Sequence, residues 1–118
     1  MDLNYSADEA AFRTEVRTWL EANIPPHLKE KVVSYQELDR EDLLTWQRTL
    51  AKKGWVAPSW PLQWGGMGLS PVKQVIYIEE YERSGAPVMQ TQSLTNLGPI
   101  LIARGSEEQR RKYLPKIL

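Results

Sequence analysis

The stretch "GWVAPSWPLQWGGMGLSP", Gly54 to Pro71, holds three of the chain's five tryptophans, four of its seven glycines and three of its eight prolines. Tryptophan is bulky and apolar. A connection this rich in it either presents an aromatic binding surface or packs its rings against the ends of helices. The run Pro58-Ser59-Trp60-Pro61 and the further proline at 71 suit a rigid, packed segment better. Gly65, Gly66 and Gly68 suit a tight connection with positive φ. "WGGMG" lacks the lysine and the strand-before-helix context of a phosphate loop, and it lacks the "GxGxxG" spacing of a dinucleotide fingerprint.

The flanks of this loop read as helices. Before it, Asp39 is a good N-cap and Asp42 lies in the first turn, where the helix dipole favours an anion. Leu43, Trp46 and Leu50 form the inner stripe of that helix, Lys52 and Lys53 its last turn, and Gly54 takes the position just past its end. After the loop, Ser70-Pro71 opens a third helix with a cap and a proline at the first helical position. Val72, Val75, Ile76 and Ile78 cover more than one face of it, which predicts burial on two sides. Glu79 and Arg83 are spaced to pair along its surface, and "SGAP" with Gly85 and Pro87 stops it.

Toward the N-terminus, "SADE" reads as a capping box of Ser6 and Glu9. Phe12, Val16, Trp19, Leu20 and Ile24 follow as one apolar stripe, ended by Pro25 and Pro26. The polar link "HLKEKVVSYQEL" is left unassigned, its "KVVSY" being the best but unconvincing strand candidate. Toward the C-terminus, a fourth helix is expected from about Met89 to Arg104, with a kink at Gly98-Pro99 and an end at Gly105. "SEEQ", Ser106 to Gln109, is a second capping box and starts the last helix, "EEQRRKYLPKIL". The fold class is all-α: a bundle of about five helices joined by the Trp/Gly/Pro-rich loop.

The totals narrow the function classes. At 118 residues the chain is the size of one domain, and its 42% apolar and 25% charged residues are ordinary for a globular protein. Fifteen basic residues balance fifteen acidic ones, which argues against a general nucleic-acid or anionic-membrane binder. Cysteine is absent, removing disulfides, thiolate metal sites and a cysteine nucleophile. "MDLNYSADEAAF" is not a secretory signal, and no apolar run reaches the roughly 20 residues of a membrane span. A cytoplasmic protein is the expectation.

Candidate chemistry is sparse. His27, the one histidine, follows two prolines at a helix end and suits a solvated or capping role. Glu79 and Glu80 are adjacent, point to different sides of a helix and cannot act as an acid–base pair. Glu107 and Glu108 suit the dipole of a first turn. No residue is assigned as catalytic, cofactor-binding or metal-binding.

The order of the pieces carries more. "KKGWVAPSWPLQWGGMGLSP", then "VIYIEEYERSGAP", then "NLGPILIARGSEEQRRKYLPKIL" resembles the N-terminal helical domain of acyl-CoA dehydrogenases. The matching features are Gly54, Pro58, Trp64 with Gly65-Gly66-Met67-Gly68, Glu79-Glu80, and Gly105 through Tyr113-Leu114-Pro115. Trp64 stands where many members have tyrosine, and the approach to it is unusually tryptophan-rich. This departure suggests an unusual acyl group, such as a steroid side chain, a ring or a dicarboxylate.

The resemblance implies residues 1–118 of a longer FAD-dependent enzyme that removes hydrogens from Cα and Cβ of an acyl-CoA thioester. In the family a glutamate takes the α-proton and the flavin N5 accepts hydride from the β-carbon. The base and most flavin contacts belong to a middle β-domain and a C-terminal helical domain beyond Leu118. The chain alone is therefore expected to be inactive. Its expected contribution is one wall of the acyl pocket, with Met89, Gln90, Ser93 and Leu97 as lining on one helical face. Implied partners are the acyl-CoA, the remaining domains or subunits, and electron-transfer flavoprotein or a similar acceptor, in a homo-oligomer. Two alternatives stay open: a stand-alone helical module binding a peptide or sugar, and a non-catalytic partner chain lending a wall to another subunit. Exposed apolar surface on the third and fourth helices is expected wherever missing domains would cover them.

Overall fold

A computed structural model describes residues 4–89 and 91–118. Among the described residues the chain is all-α. Its helices are α1 (Ala7–Asn23), α2 (Pro26–Val33), α3 (Arg40–Lys53), α4 (Pro71–Ser84), α5 (Gly98–Arg104) and α6 (Glu107–Ile117). A 3-10 turn at Leu62–Trp64 and a π-helical turn at Ser93–Leu97 complete the list. Both expected capping boxes form, on Ser6 with Glu9 and on Ser106 with Gln109. Asp39 and Asp42 cap α3 reciprocally: each carboxylate accepts from the other residue's backbone N–H, at 2.8 and 3.2 Å.

The chain divides into two compact units, residues 1–46 with 69–87 and residues 47–68 with 88–118. In the first unit α1 lies along α4. Val16 and Leu20 of α1 and Ile76 of α4 are fully buried, Tyr77 nearly so. Trp46 stacks at a tilt on Trp19, 6.1 Å between centroids, and its indole N–H donates to the Tyr81 hydroxyl at 2.7 Å. That hydroxyl donates onward to the Pro87 carbonyl at 2.5 Å, tying α3, α4 and the segment after α4 together.

One open segment resolves here and three expectations change. The unassigned link is helical at α2, because Pro26 supplies a preset first helical residue. Lys31 of α2 then reaches Asp42 at 2.5 Å. Helix α4 buries one side only: Val72, Val75 and Ile78 are 41–52% exposed. Glu79 pairs with Arg13 of α1 at 2.6 Å rather than along its own helix with Arg83, because α1 brings a guanidinium within reach. The fourth helix becomes helical only at residue 92, and its first full turn is of π type.

The seam between α1 and α4 is closed by a buried carboxylate. Glu80 is 2% exposed and accepts a bidentate pair from Arg17 (Nε and Nη2, both 2.8 Å) and a third bond from Arg13 Nη1 at 2.7 Å. The Arg17 guanidinium, aided by Arg13 and opposed by burial, holds the Glu80 carboxyl at about 2, below its ordinary 4.5. Arg13 and Arg17 are in turn held above the ordinary arginine range, chiefly by Glu79 and Glu80 respectively.

In the second unit the tryptophan loop is a packed segment. Trp60 is 2% exposed and Trp55 8%, whereas Trp64 is half-buried under Arg110, whose guanidinium sits 5.8 Å from the ring centre. Gly65 and Gly68 adopt the expected positive φ, at 86° and 59°. Gly66 is there for a different reason: a Cβ at this position would lie 2.0 Å from the Trp60 carbonyl oxygen.

Two outcomes are expected for the 118-residue chain. Because the Glu80 carboxyl is depressed in the folded state, its stabilisation is complete above about pH 4.5 and lost as pH falls through about 2. Glu80→Gln should cost about 3 kcal/mol at pH 7 and flatten the acid limb of a urea-unfolding series between those values. A wild-type stability that does not fall across that window would contradict the clamp. Gly66→Ala should cost about 3 kcal/mol or more by thermal unfolding, since a backbone carbonyl cannot rotate out of the way; a loss below 1 kcal/mol would show that the loop gives way easily.

Candidate functional site

The residues singled out as lining divide in the structure. Met89 is half-buried but precedes the helix, and its carbonyl accepts from the Thr91 N–H at 2.9 Å. Gln90 lies outside the described residues. Ser93 and Leu97 begin and end the π turn, Ser93 half-buried and Leu97 48% exposed. Met89, Ser93 and Leu97 therefore do not share one helical stripe. Ser93 and Leu97 stand one turn apart, while Ile100, at 60% exposure, continues an apolar surface along α5. Such a surface carries no charge and suits contact with an apolar group, not proton or group transfer.

The strip beside them faces inward. Leu94 and Gly98 are buried against Trp60. The Trp60 indole N–H donates to the Leu94 carbonyl at 3.1 Å, and a Cβ on Gly98 would fall 2.0 Å from the Trp60 ring. Sequence reading missed this role for Trp60. Its partner is 34 residues away along the chain, and no local spacing signals it.

The adjacent glutamate pairs are engaged structurally. Glu79 and Glu80 hold the arginines of α1. Glu107 meets Arg111 at 2.9 Å and Arg110 at 3.6 Å. His27 is 66% exposed, 3.9 Å from Asp42. Among the described residues no cluster of three or more His, Cys, Asp or Glu is placed to hold a metal. An open depression of about 550 Å³ is lined by Gln63, Trp64, Glu107, Arg110 and Arg111. Its arginines already face Glu107, and Arg110 Nε donates to the Leu101 carbonyl at 3.1 Å. The zero net charge is also uneven: the first unit has thirteen acids against seven Lys and Arg, the second two against eight.

The glycine-rich loop does not fit a flavin diphosphate. A phosphate cradle needs backbone N–H groups turned outward. Here Gly65 donates to Leu62, Gly66 to Pro61, Met67 to Ala57 and Gly68 to Trp60, all within the loop.

Residues 6–118 match the family profile described as acyl-CoA dehydrogenase, N-terminal domain. The chain is 29% identical, over 99% of its length, to acyl-CoA dehydrogenase FadE26 of Mycobacterium tuberculosis, covering 30% of that protein. It is 38% identical over 91% of its length to acyl-CoA dehydrogenase IpdE1 of Mycolicibacterium smegmatis, covering 29% of it. Among solved structures it is similar to the Tcur3481–Tcur3483 steroid ACAD, with a TM-score of 0.80, 30% identity, and coverage of 99% of this chain and 30% of the other. The ChsE4–ChsE5 complex from Mycobacterium tuberculosis gives a TM-score of 0.77 at 28% identity, with 99% and 29% covered. The chain thus spans about 30% of the length of the relatives it matches. Among the described residues no helix is long and apolar enough to cross a membrane. The profile match from residue 6 to residue 118, on an all-α chain, identifies it as a member of the acyl-CoA dehydrogenase family, in its N-terminal domain.

Proposed function

We propose that this chain is the N-terminal domain of an FAD-dependent acyl-CoA dehydrogenase that removes hydrogens from Cα and Cβ of an acyl-CoA thioester. The match over residues 6–118 carries this reading. The flavin, the base and the thioester contacts belong to a middle β-domain and a C-terminal helical domain of the longer protein. Electron-transfer flavoprotein or a similar acceptor takes the electrons. This chain supplies an apolar wall at the acyl end of the pocket, with Met89, Gln90, Ser93 and Leu97 as its lining. Ser93 and Leu97 suit that role because they are accessible, uncharged and held on a buried strip. A steroid-derived acyl group is favoured, since one structural neighbour is a steroid ACAD.

The protein works as an oligomer. Both solved neighbours are named for two proteins together, ChsE4–ChsE5 and Tcur3481–Tcur3483, which favours a second reading beside the homo-oligomer: a chain that completes its site with a different subunit.

Expressed at full length, the protein should purify yellow with bound FAD, and the flavin should bleach on adding a steroid side-chain acyl-CoA. A colourless protein that takes up no FAD, alone or co-expressed with a second subunit, would refute the enzyme. In the active protein, Leu97→Trp should lower kcat/KM for the bulky acyl-CoA about tenfold by filling the wall. An unchanged value would remove Leu97 from the lining.

A further inference from the structure

Pro99 has no N–H, and a proline ring inside a regular α-helix collides with the carbonyl four residues earlier. The helix accommodates Pro99 with the wider π turn, in which Gly98 N–H donates to the Ser93 carbonyl, five residues back. This leaves the Leu94 carbonyl without its helical donors: Gly98 N–H is directed to Ser93, and position 99 has none to offer. Leu94 is buried, 7% exposed, where an unpaired carbonyl is costly. The Trp60 indole N–H fills that vacancy at 3.1 Å. Its ring also lies so close to Gly98 that no side chain fits there. Trp60 thus grips the helix at two points one turn apart, 94 and 98, which fixes rotation about the helix axis. Ser93 and Leu97 are the next residues round that axis. π turns of this kind recur at functional sites.

We infer that Trp60 is a positioning residue for acyl-group selectivity: through Leu94 and Gly98 it sets the direction in which Ser93 and Leu97 meet the acyl group. This rests on the lining role proposed above. Trp60 itself is buried and touches no substrate. Its loss alters which acyl groups are accepted, and does not act by lowering the rate uniformly.

The test uses the full-length flavoprotein and the kcat/KM ratio between a ring-bearing acyl-CoA (3-cyclohexylpropanoyl-CoA) and octanoyl-CoA. Trp60→Phe keeps an aromatic ring but has no N–H, and should shift this ratio by about fivefold or more. In a Pro99→Ala background, position 99 regains an N–H for the Leu94 carbonyl, and the further shift caused by W60F should shrink to about twofold or less. A W60F protein that loses activity equally on both substrates, or keeps the wild-type ratio, overturns the inference. So does an equal W60F shift with and without P99A. Should W60F yield no flavin-loaded protein, P99A alone must move the ratio, and an unmoved ratio counts against the clamp. A wild type whose flavin no acyl-CoA reduces would instead defeat the proposed enzyme and this inference with it, by a measurement distinct from the ratio.

Discussion

A proline in the middle of a helix must be compensated, because it removes a donor and crowds a carbonyl. In the second unit that compensation organises the surroundings. The π turn at Ser93–Leu97 relieves the crowding, and the Trp60 indole supplies the missing donor at Leu94. The requirement that Trp60 be there explains other features of the loop. Gly66 lets the backbone pass against the Trp60 carbonyl, Gly98 leaves room for the Trp60 ring, and Gly68 N–H donates back to that same Trp60 carbonyl at 3.1 Å. The tryptophans that first suggested a binding surface are, at Trp55 and Trp60, interior side chains.

The first unit relies on a buried charge. Taking a carboxylate out of water costs several kcal/mol unless its lone pairs are satisfied. Glu80 meets that requirement with three bonds from two guanidinium groups, while Glu79 shares one of those arginines from the more exposed side. A pair of adjacent carboxylates can suggest acid–base chemistry, yet a group held at about 2 is a poor proton carrier near neutral pH. The Glu79-Glu80 pair contributes to the family resemblance as a structural device that fastens α4 to α1.

What remains for function is surface. Ser93, Leu97 and Ile100 lie accessible along the π turn and α5, and Val72, Val75 and Ile78 along α4. A chain spanning about 30% of its relatives' length can carry such apolar stripes where further polypeptide would cover them.

Local chemistry made much of this legible in one dimension. Capping boxes at Ser6 and Ser106, the proline start at Pro71 and the apolar stripe of α1 all act over three or four residues, so spacing alone determined them. The packed loop and the family were legible too, since both depend on residue types in a fixed order. Tertiary structure decided the rest. Whether Glu79 faces Arg83 or Arg13 depends on which helix lies alongside, and Arg13 is 66 residues away. The fourth helix starts at residue 92, which leaves Met89 outside it, and it accommodates Pro99 with a π turn. The donor that compensates it comes from a ring 34 residues earlier, beyond the reach of any local pattern.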